Sequence, residues 1–414
     1  MNASLTRRSL VAATGGAMLR VLTLSTLFPN RAEPTLGVFV ERQTLGLAAR
    51  PGVEVEVVAP VGLPLWPLSR HTHYAARAKL PAEETWKGLR LHRPRYTVWP
   101  KLERRTPGAM AAALLPCLEH IRERFPFDVI DAEFFWPDGP AAATLSRALG
   151  VPFSVKARGA DVNYWGARPD TGPQVREAAR DAGGLLAVSA ALKGAMAALG
   201  LPEEKIAVHY TGVDLGTFRP LDRAEAKESL GLQGPVVVTA GALIPRKGQA
   251  LAIEAMADVP GATLVLVGDG PDRAKLEALA AGLGGRVRFA GRRPHEELPL
   301  YLAAADATLL PSQSEGLANV WVESLACGTP VVTCDAGGGA HEAIGRPEAG
   351  RIVAREPKAL AAALNEIFAD PPTQEAVRRS ITDKFSWEKN AAEMEAHLRR
   401  IAAAAPLAQT VKAA

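Results

Sequence analysis

Cysteine is scarce in this chain. The three residues present among 414, Cys117, Cys327 and Cys334, show no C-x-x-C spacing and leave one unpaired. That argues against a disulfide framework or a zinc site and for a reducing compartment. Long apolar runs are missing as well, since none approaches the roughly 20 residues of a membrane span. The first strand-like run is followed by STLFPNRAEPTLG (25–37) and not by G-x-G-x-x-G, which argues against a dinucleotide oxidoreductase. No nucleic-acid motif is present, and no repeat or low-complexity tract stands out beyond an Ala-rich tail.

What is there fits an ordinary soluble globular protein, with 48% apolar and 22% charged residues. The length points to two domains or three. A net charge of +4 conceals an asymmetry. Residues 1–210 hold 26 Lys and Arg against 19 Asp and Glu, and the remainder holds 22 against 25. Within the first half, Trp86 to Arg105 carries Lys87, Arg90, Arg93, Arg95, Lys101, Arg104 and Arg105 with only Glu103 opposing, and Trp86, Tyr96 and Trp99 are interleaved. Such a stretch is either a solvated basic hairpin or a surface for anionic lipid or a lipid-phosphate acceptor. At the N-terminus, TRRSLVAATGGAM (6–18) is similar to a twin-arginine export signal. Its apolar part is short, no A-x-A site follows, and LRVLTL (19–24) begins at once as a buried strand. Residues 1–17 are therefore expected to be a disordered extension or a misassigned start, with Met18 as the true beginning.

Strand-like and helix-like segments alternate. RVLTLS (20–25), VEVEVVAP (53–60), FDVIDAE (127–133), PFSVKA (152–157), GLLAVS (184–189) and IAVHYT (206–211) read as strands, with helical stretches such as 109–124 and 140–149 between them. The pattern restarts after Pro220 with PVVVTAG (235–241), ATLVLVG (262–268), RVRFAG (286–291), DATLLPS (306–312) and PVVTCD (330–335). Continuous apolar strands separated by helices predict parallel sheets covered on both faces. Two series predict two doubly wound α/β domains joined near GVDLGTFRPLD (212–222). Ligands of such sheets sit beyond the carboxyl ends of strands, so a cleft between the domains is the expected site.

Two loops carry the chemistry. In GALIPRKG (241–248) a strand ends at Gly241, and Arg246 and Lys247 precede a helix; adjacent cations there can face a diphosphate or can be solvated loop residues. In SEGLANVWVESLACGTPVV (314–332), a turn at Gln313–Gly316 leads into a helix from about Leu317 to Ala326, stopped by Gly328 and Pro330. The N–H groups at that helix start suit a phosphate. Glu315 lies in the turn, and Glu323 lies inside the helix among Val320, Val322, Leu325 and Ala326. A carboxylate in such company needs hydrogen-bonding partners, and sugar hydroxyls are donors that can meet it.

The pair Glu315-x7-Glu323, the PS-x-S-E-G turn, the following GTPVV, GALIPRKG, VGDGP (267–271), FAGRRPHEEL (289–298), VSAAL (188–192) and GVDLGTFRP (212–220) together resemble family-four retaining glycosyltransferases. The likeness runs in order over nearly the whole chain from Met18. It implies a GT-B fold, with an acceptor-side Rossmann-like domain over 18–215, a nucleotide-sugar-binding domain over 216–385, and a C-terminal helix near 386–403 packed back on the first. It implies sugar transfer from a UDP- or GDP-sugar with retention and with neither metal nor resident cofactor, in keeping with the absence of a D-x-D triplet. By motif position Arg246 and Lys247 would neutralise the diphosphate. Gly241 and Gly316 would flank it, and backbone groups of Leu317, Ala318, Asn319 and Val320 would reach phosphate or sugar. Glu315 would hold the sugar hydroxyls, Glu323 the ribose, and Arg293 with Arg292 would lie by the base. Gly37, before GVFVERQ (37–43), would stand in an acceptor-side glycine loop close to the diphosphate.

One position departs from the family pattern. Many members carry His-Gly-x-Asp near a strand end of the first domain, where this chain has KARGADVNYW (156–165), so Arg158 replaces the histidine and Asp161 is kept. Arginine cannot serve as a base. It could bind an acceptor phosphate or the donor diphosphate, or form an Arg–Asp pair that braces the loop; Arg158 and Asp161 are both carried as candidate catalytic residues. The resemblance and the basic stretch 86–105 favour a glycan or lipid-linked acceptor, as in exopolysaccharide or lipopolysaccharide synthesis, and a cytoplasmic protein able to work at the inner face of the membrane. Two other readings compete: a nucleotide-sugar 2-epimerase, disfavoured because none of the eight histidines forms an obvious dyad, and a non-catalytic nucleotide-sugar-binding subunit.

Overall fold

The computed structural model describes residues 17–99, 101–335 and 339–404. The N-terminal extension expected up to residue 17 falls, but for its last residue, outside them. The described residues divide into two compact units. One holds the chain up to Val188, Lys193–His209 and the segment from Trp387 onward; the other holds Ser189–Leu192 and Tyr210–Ser386.

The first unit is built from β1 (Leu19–Leu24), β2 (Val53–Val58), β3 (Val61–Pro64), β4 (Glu83–Trp86), β5 (Leu89–His92), β6 (Arg95–Val98), β7 (Val129–Ala132), β8 (Phe153–Ala157), β9 (Gly184–Ala187) and β10 (Ile206–Val208). Eight of them form a sheet in the order β10-β9-β8-β7-β1-β2-β5-β4, and β3 pairs with β6 in a separate parallel ribbon. The inner strands β7, β8 and β9 are buried along their whole length, as strands covered on both faces should be. The expected all-parallel pattern fails at one edge. β4 and β5 pair antiparallel, because Lys87 and Gly88 both take positive φ (49° and 89°) and close a two-residue hairpin.

That hairpin gives part of the basic stretch its partners. Arg93 is buried and pairs with Glu84 at 2.8 Å, Lys87 meets Glu41 at 3.0 Å, and Arg90 lies 3.8 Å from Glu56. Arg95 donates to the carbonyls of Ala78 and Leu80. Of these four cations only Arg93 is buried; Lys87, Arg90 and Arg95 stay exposed while each meets a carboxylate or carbonyl of the unit.

The helix Trp387–Ala404 completes the first unit. Met394, Leu398 and Ile401 pack on Leu19, Val21, Val129 and Leu186 of the sheet. Glycine is required where it passes: a Cβ on Gly184 would lie 2.6 Å from the His397 ring. His397 accepts at Nδ1 from the Arg400 guanidinium at 3.2 Å, so its Nε2 carries the proton and donates to Ser154 Oγ at 2.8 Å.

The second unit holds β11 (Val236–Ala240), β12 (Thr263–Val267), β13 (Val287–Gly291), β14 (Ala307–Leu310), β15 (Val331–Cys334) and β16 (Gly350–Val353), all parallel, in the order β13-β12-β11-β14-β15-β16. β16 is too short and too broken by Gly350 and Arg351 to register as a strand in the sequence. The helix Asn319–Ala326 belongs to this core, with Trp321, Val322, Leu325 and Ala326 buried against strand residues Val236, Val238 and Leu310. Among the described residues no helix is long and apolar enough to cross a membrane.

Burial, Arg400 and Lys156 push the His397 pKa down from 6.5 to about 4. The folded chain thus keeps this ring neutral while the unfolded chain takes up a proton as pH falls through about 6.5, so stability drops from there toward about pH 4. Melting curves at about pH 7 and about pH 5 should show the wild type losing roughly 2 kcal/mol more than His397→Gln. Equal losses would show that the ring is not held neutral.

Candidate functional site

In the second unit β11 ends at Gly241, and the chain turns through Leu243 to a short 3-10 turn at Pro245–Lys247. Arg246 and Lys247 project from that turn toward the segment 313–316. Lys247 Nζ lies 2.6 Å from Glu315 Oε1, and Arg246 Nη1 lies 3.3 Å from the same oxygen. Arg246 also donates to the Ser314 carbonyl, and the Gln313 N–H donates to the Arg246 carbonyl at 2.8 Å. Two loops some 70 residues apart in sequence are thereby laced together around one carboxylate. The Glu315 side chain is only 10% exposed, which strengthens its pull on both cations.

Beyond Glu315 the helix begins at Asn319 with Ala318 as its N-cap, and no side chain caps it. The Trp321 N–H donates to the Ala318 carbonyl at 3.0 Å, whereas the N–H groups of Asn319 and Val320 have no partner among the described residues and are open to an anion. Leu317 and Ala318 bury their side chains in the core, so only their backbone can reach a ligand, whereas Asn319 is exposed and Val320 half-buried. Glu323 lies just over one turn into the helix and is 8% exposed. Its Oε1 is 2.8 Å from His295 Nε2, and the His295 ring stands edge-on to Phe218 with centroids 5.0 Å apart. His295 is a residue that the motif reading passed over, although it lies within FAGRRPHEEL. Arg293 donates to the Ala290 carbonyl at 2.9 Å, stands 3.7 Å from Glu297, and keeps 41% of its side chain exposed.

In the first unit Gly37 caps the helix Val38–Ala48 with φ 63°, and a Cβ there would fall 2.2 Å from the Leu27 carbonyl. Glycine is thus demanded both by conformation and by the close passage of the loop after β1. That loop is tied down by Asp138, which accepts the Thr26 N–H at 3.0 Å; burial raises the Asp138 pKa to about 8.

Arg158 and Asp161 do not pair. Asp161 is fully buried, and its carboxylate accepts backbone N–H groups of Phe135 (2.9 Å), Arg158 (2.9 Å), Gly159 (2.8 Å) and Val162 (3.2 Å). It is a positioning residue for the loop after β8 and not a group that can touch substrate. Burial raises its pKa, against the pull of the Phe135, Arg158 and Gly159 N–H groups.

The Arg158 guanidinium turns to the Glu133 carboxylate, which is 0% exposed, and lies over the Phe39 ring at 4.8 Å. Gln43 ties this pair to Lys156, since its amide donates to Glu133 and its Oε1 accepts from Lys156 Nζ at 2.6 Å. Lys156 donates to His209 Nδ1 at 2.8 Å; the assignment follows because His209 Nε2 must donate to the Asn390 carbonyl, also at 2.8 Å. Burial and Arg158 hold the Lys156 pKa well below the usual lysine value, and burial lowers that of His209. One donor of this network, Arg158 Nη1, is buried with no partner. Glu133, Gln43 and Lys156 were not foreseen as site residues. The signal available was an acid or lysine inside or just beyond a fully apolar strand.

The comparisons with known proteins bear on the family and the fold. The glycosyl transferases group 1 family matches residues 222–383, and the glycosyl transferase 4-like domain matches 35–212. The chain is 29% identical to a putative teichuronic acid biosynthesis glycosyltransferase of Bacillus subtilis, over 90% of this chain and 96% of that protein. It is 31% identical to the 2-deoxystreptamine glucosyltransferase of Streptomyces kanamyceticus, over 70% and 82%. Among solved structures it resembles sucrose-phosphate synthase from Thermosynechococcus elongatus (TM-score 0.75, 22% identity, 93% and 100% covered). It also resembles Anabaena HepE in complex with UDP-glucose (TM-score 0.67, 22% identity, 91% and 99% covered).

Replacing Asp161 by Asn swaps one acceptor oxygen for an amine facing N–H donors. Asp161→Asn should cost about 3 kcal/mol of unfolding free energy in chemical denaturation. A loss under about 0.5 kcal/mol would mean that the loop is held by other means. With the fold, the matched domains and the relatives in agreement, the chain belongs to the group 1 glycosyltransferases of family four and has the GT-B fold.

Proposed function

We propose that the protein transfers a sugar from a UDP- or GDP-sugar to a glycan or lipid-linked acceptor with retention at the anomeric carbon. The observation that carries this reading is the convergence of Arg246, Lys247 and the uncapped start of the helix Asn319–Ala326 around Glu315. Two cations and a set of open N–H groups form a preorganised site for a diphosphate, the group on which charge develops as the bond to the sugar breaks. Because this charge is met by guanidinium, ammonium and backbone, transfer needs no metal.

Glu315 uses Oε1 to place both cations, which leaves Oε2 to accept a hydroxyl of the sugar. Lys247 has three donors and spends one on Glu315, so the ion pair orients it without consuming it. Glu323 holds the ribose hydroxyls, with His295 keeping the buried carboxylate satisfied until the donor arrives. In the first unit Arg158 cannot act as a base; its Nη1 is a donor for an anionic oxygen of acceptor or donor. The acceptor hydroxyl then attacks on the face from which the diphosphate leaves. The C1–O bond to phosphate breaks as the new C1–O bond forms, and the departing phosphate oxygen takes the proton.

The names of several relatives support the acceptor class. One is the teichuronic acid enzyme above; another is a GDP-mannose-dependent phosphatidylinositol monomannoside mannosyltransferase of Mycolicibacterium smegmatis, 31% identical over 64% of this chain. A donor panel decides the nucleotide: the matching nucleotide-sugar should raise the melting temperature, because it binds only the folded state. With that donor, Lys247→Ala should lower turnover by about 100- to 1,000-fold with an unchanged melting curve. Turnover should survive EDTA, and NMR should find the product with the donor's anomeric configuration. Near wild-type turnover of Lys247→Ala would remove the diphosphate role. Donor binding without transfer to any acceptor would instead favour a non-catalytic binding subunit.

A further inference from the structure

The parallel ribbon β3–β6 has a consequence for the surface of the first unit. Its register runs from Val61 opposite Arg95 to Pro64 opposite Val98, so both strands leave the ribbon at the same end. From β3 the chain runs directly into Leu65, Trp66 and Leu68, which are 60%, 72% and 54% exposed. From β6 it runs through Trp99 into Lys101, Leu102, Arg104 and Arg105, all but the half-buried Trp99 exposed. An exposed apolar turn with a tryptophan at its tip thus stands beside a basic turn.

Single exposed apolar residues need no explanation, but three of them within four positions do. The charge around them is predominantly positive. Lys101, Arg104 and Arg105 pair with no carboxylate among the described residues, and the one acid of the turn, Glu103, faces Arg168 at 3.8 Å. The other cations of the stretch 86–105 each meet a carboxylate or carbonyl of the unit, so the unpaired charge is concentrated at this end. Arg104 and Arg105 also line a cleft of about 320 Å³ with Thr144, Arg147, Gln174 and Glu177; Arg147 is answered there by Glu177 at 3.5 Å, so Arg104 and Arg105 supply its unpaired charge, and the Gln174 Oε1 is buried without a partner.

We propose that this end of the ribbon docks on an anionic lipid bilayer: Leu65, Trp66 and Leu68 enter the interface while Lys101, Arg104 and Arg105 meet the headgroups. Tryptophan is the residue that the bilayer–water boundary favours, since its ring is apolar and its N–H stays wet. Cations flanking an apolar tip add an attraction that a neutral bilayer does not return. The arginine-lined cleft admits a headgroup phosphate, and Gln174 Oε1 accepts a headgroup hydroxyl. The docking is independent of which sugar the protein transfers.

Vesicle flotation tests the surface directly. Wild-type protein should float with vesicles of phosphatidylcholine containing about 30% phosphatidylglycerol, far less with phosphatidylcholine alone, and less as salt is raised. Leu65→Ser/Trp66→Ser/Leu68→Ser and Lys101→Glu/Arg104→Glu/Arg105→Glu, each with an unchanged melting curve, should lower binding at least about tenfold. Brominated acyl chains should quench wild-type fluorescence more than that of Trp66→Phe. The proposal is overturned if the wild type stays in solution with anionic vesicles at low salt, or if either triple variant binds as well as wild type. It is overturned too if sedimentation shows a dimer that the apolar triple variant dissociates, because the turn then covers a second copy.

Discussion

One carboxylate oxygen organises the second unit's functional edge. Glu315 Oε1, in the loop after β14, receives both Lys247 and Arg246 from the loop after the neighbouring parallel strand β11. Without it, two cations would stand side by side at a strand end with nothing to oppose their repulsion. With it, they are held side by side by a single, largely buried acceptor. The hydrogen bonds from Gln313 and Arg246 across the same two loops make the arrangement a joint of backbone as well as charge.

Charge placed in a protein interior must be answered there, and the first unit follows the same rule with different residues. Glu133 is 0% exposed and is answered by Arg158 and Gln43; Gln43 in turn engages Lys156, and Lys156 reaches His209. The replacement of a histidine by Arg158 is thus not a local exchange. The guanidinium is embedded in a network that spans the helix Val38–Ala48 and the ends of β7, β8 and β10. Asp161 supplies the rigidity, because four backbone N–H groups converge on it and leave the loop after β8 no freedom to swing. A loop held this firmly presents Arg158 Nη1 in one direction only.

The unit that carries this network is closed by a distant part of the chain. The helix Trp387–Ala404 returns to cover Leu19, Val21, Val129 and Leu186, and Asn390 on it supplies the carbonyl that sets the His209 tautomer. The C-terminal helix therefore does more than cover apolar surface: it decides which nitrogen of His209 faces Lys156.

By itself the sequence determined the class of fold and marked the two loops that form the candidate site. The apolar strand runs bounded by Gly and Pro were strong enough to mark β1, β2, β7 to β10 and β11 to β15; inner strands such as β7, β8, β11 and β14, buried along their whole length, have few polar positions to blur them. Arg246, Lys247, Glu315 and Glu323 were legible because each departs from its surroundings in type and each follows a strand end. What the sequence could not show was which charge answers which. The Lys247–Glu315 contact, the His295–Glu323 pair, the turn of Arg158 away from Asp161 toward Glu133, and the burial of Arg93 against Glu84 all join residues that lie apart in the chain or on neighbouring strands. Such pairings depend on strand order and loop passage, and a local pattern carries neither. The same holds for the surface at Leu65–Leu68 and Lys101–Arg105, two unremarkable turns that only the parallel pairing of β3 with β6 brings to one end.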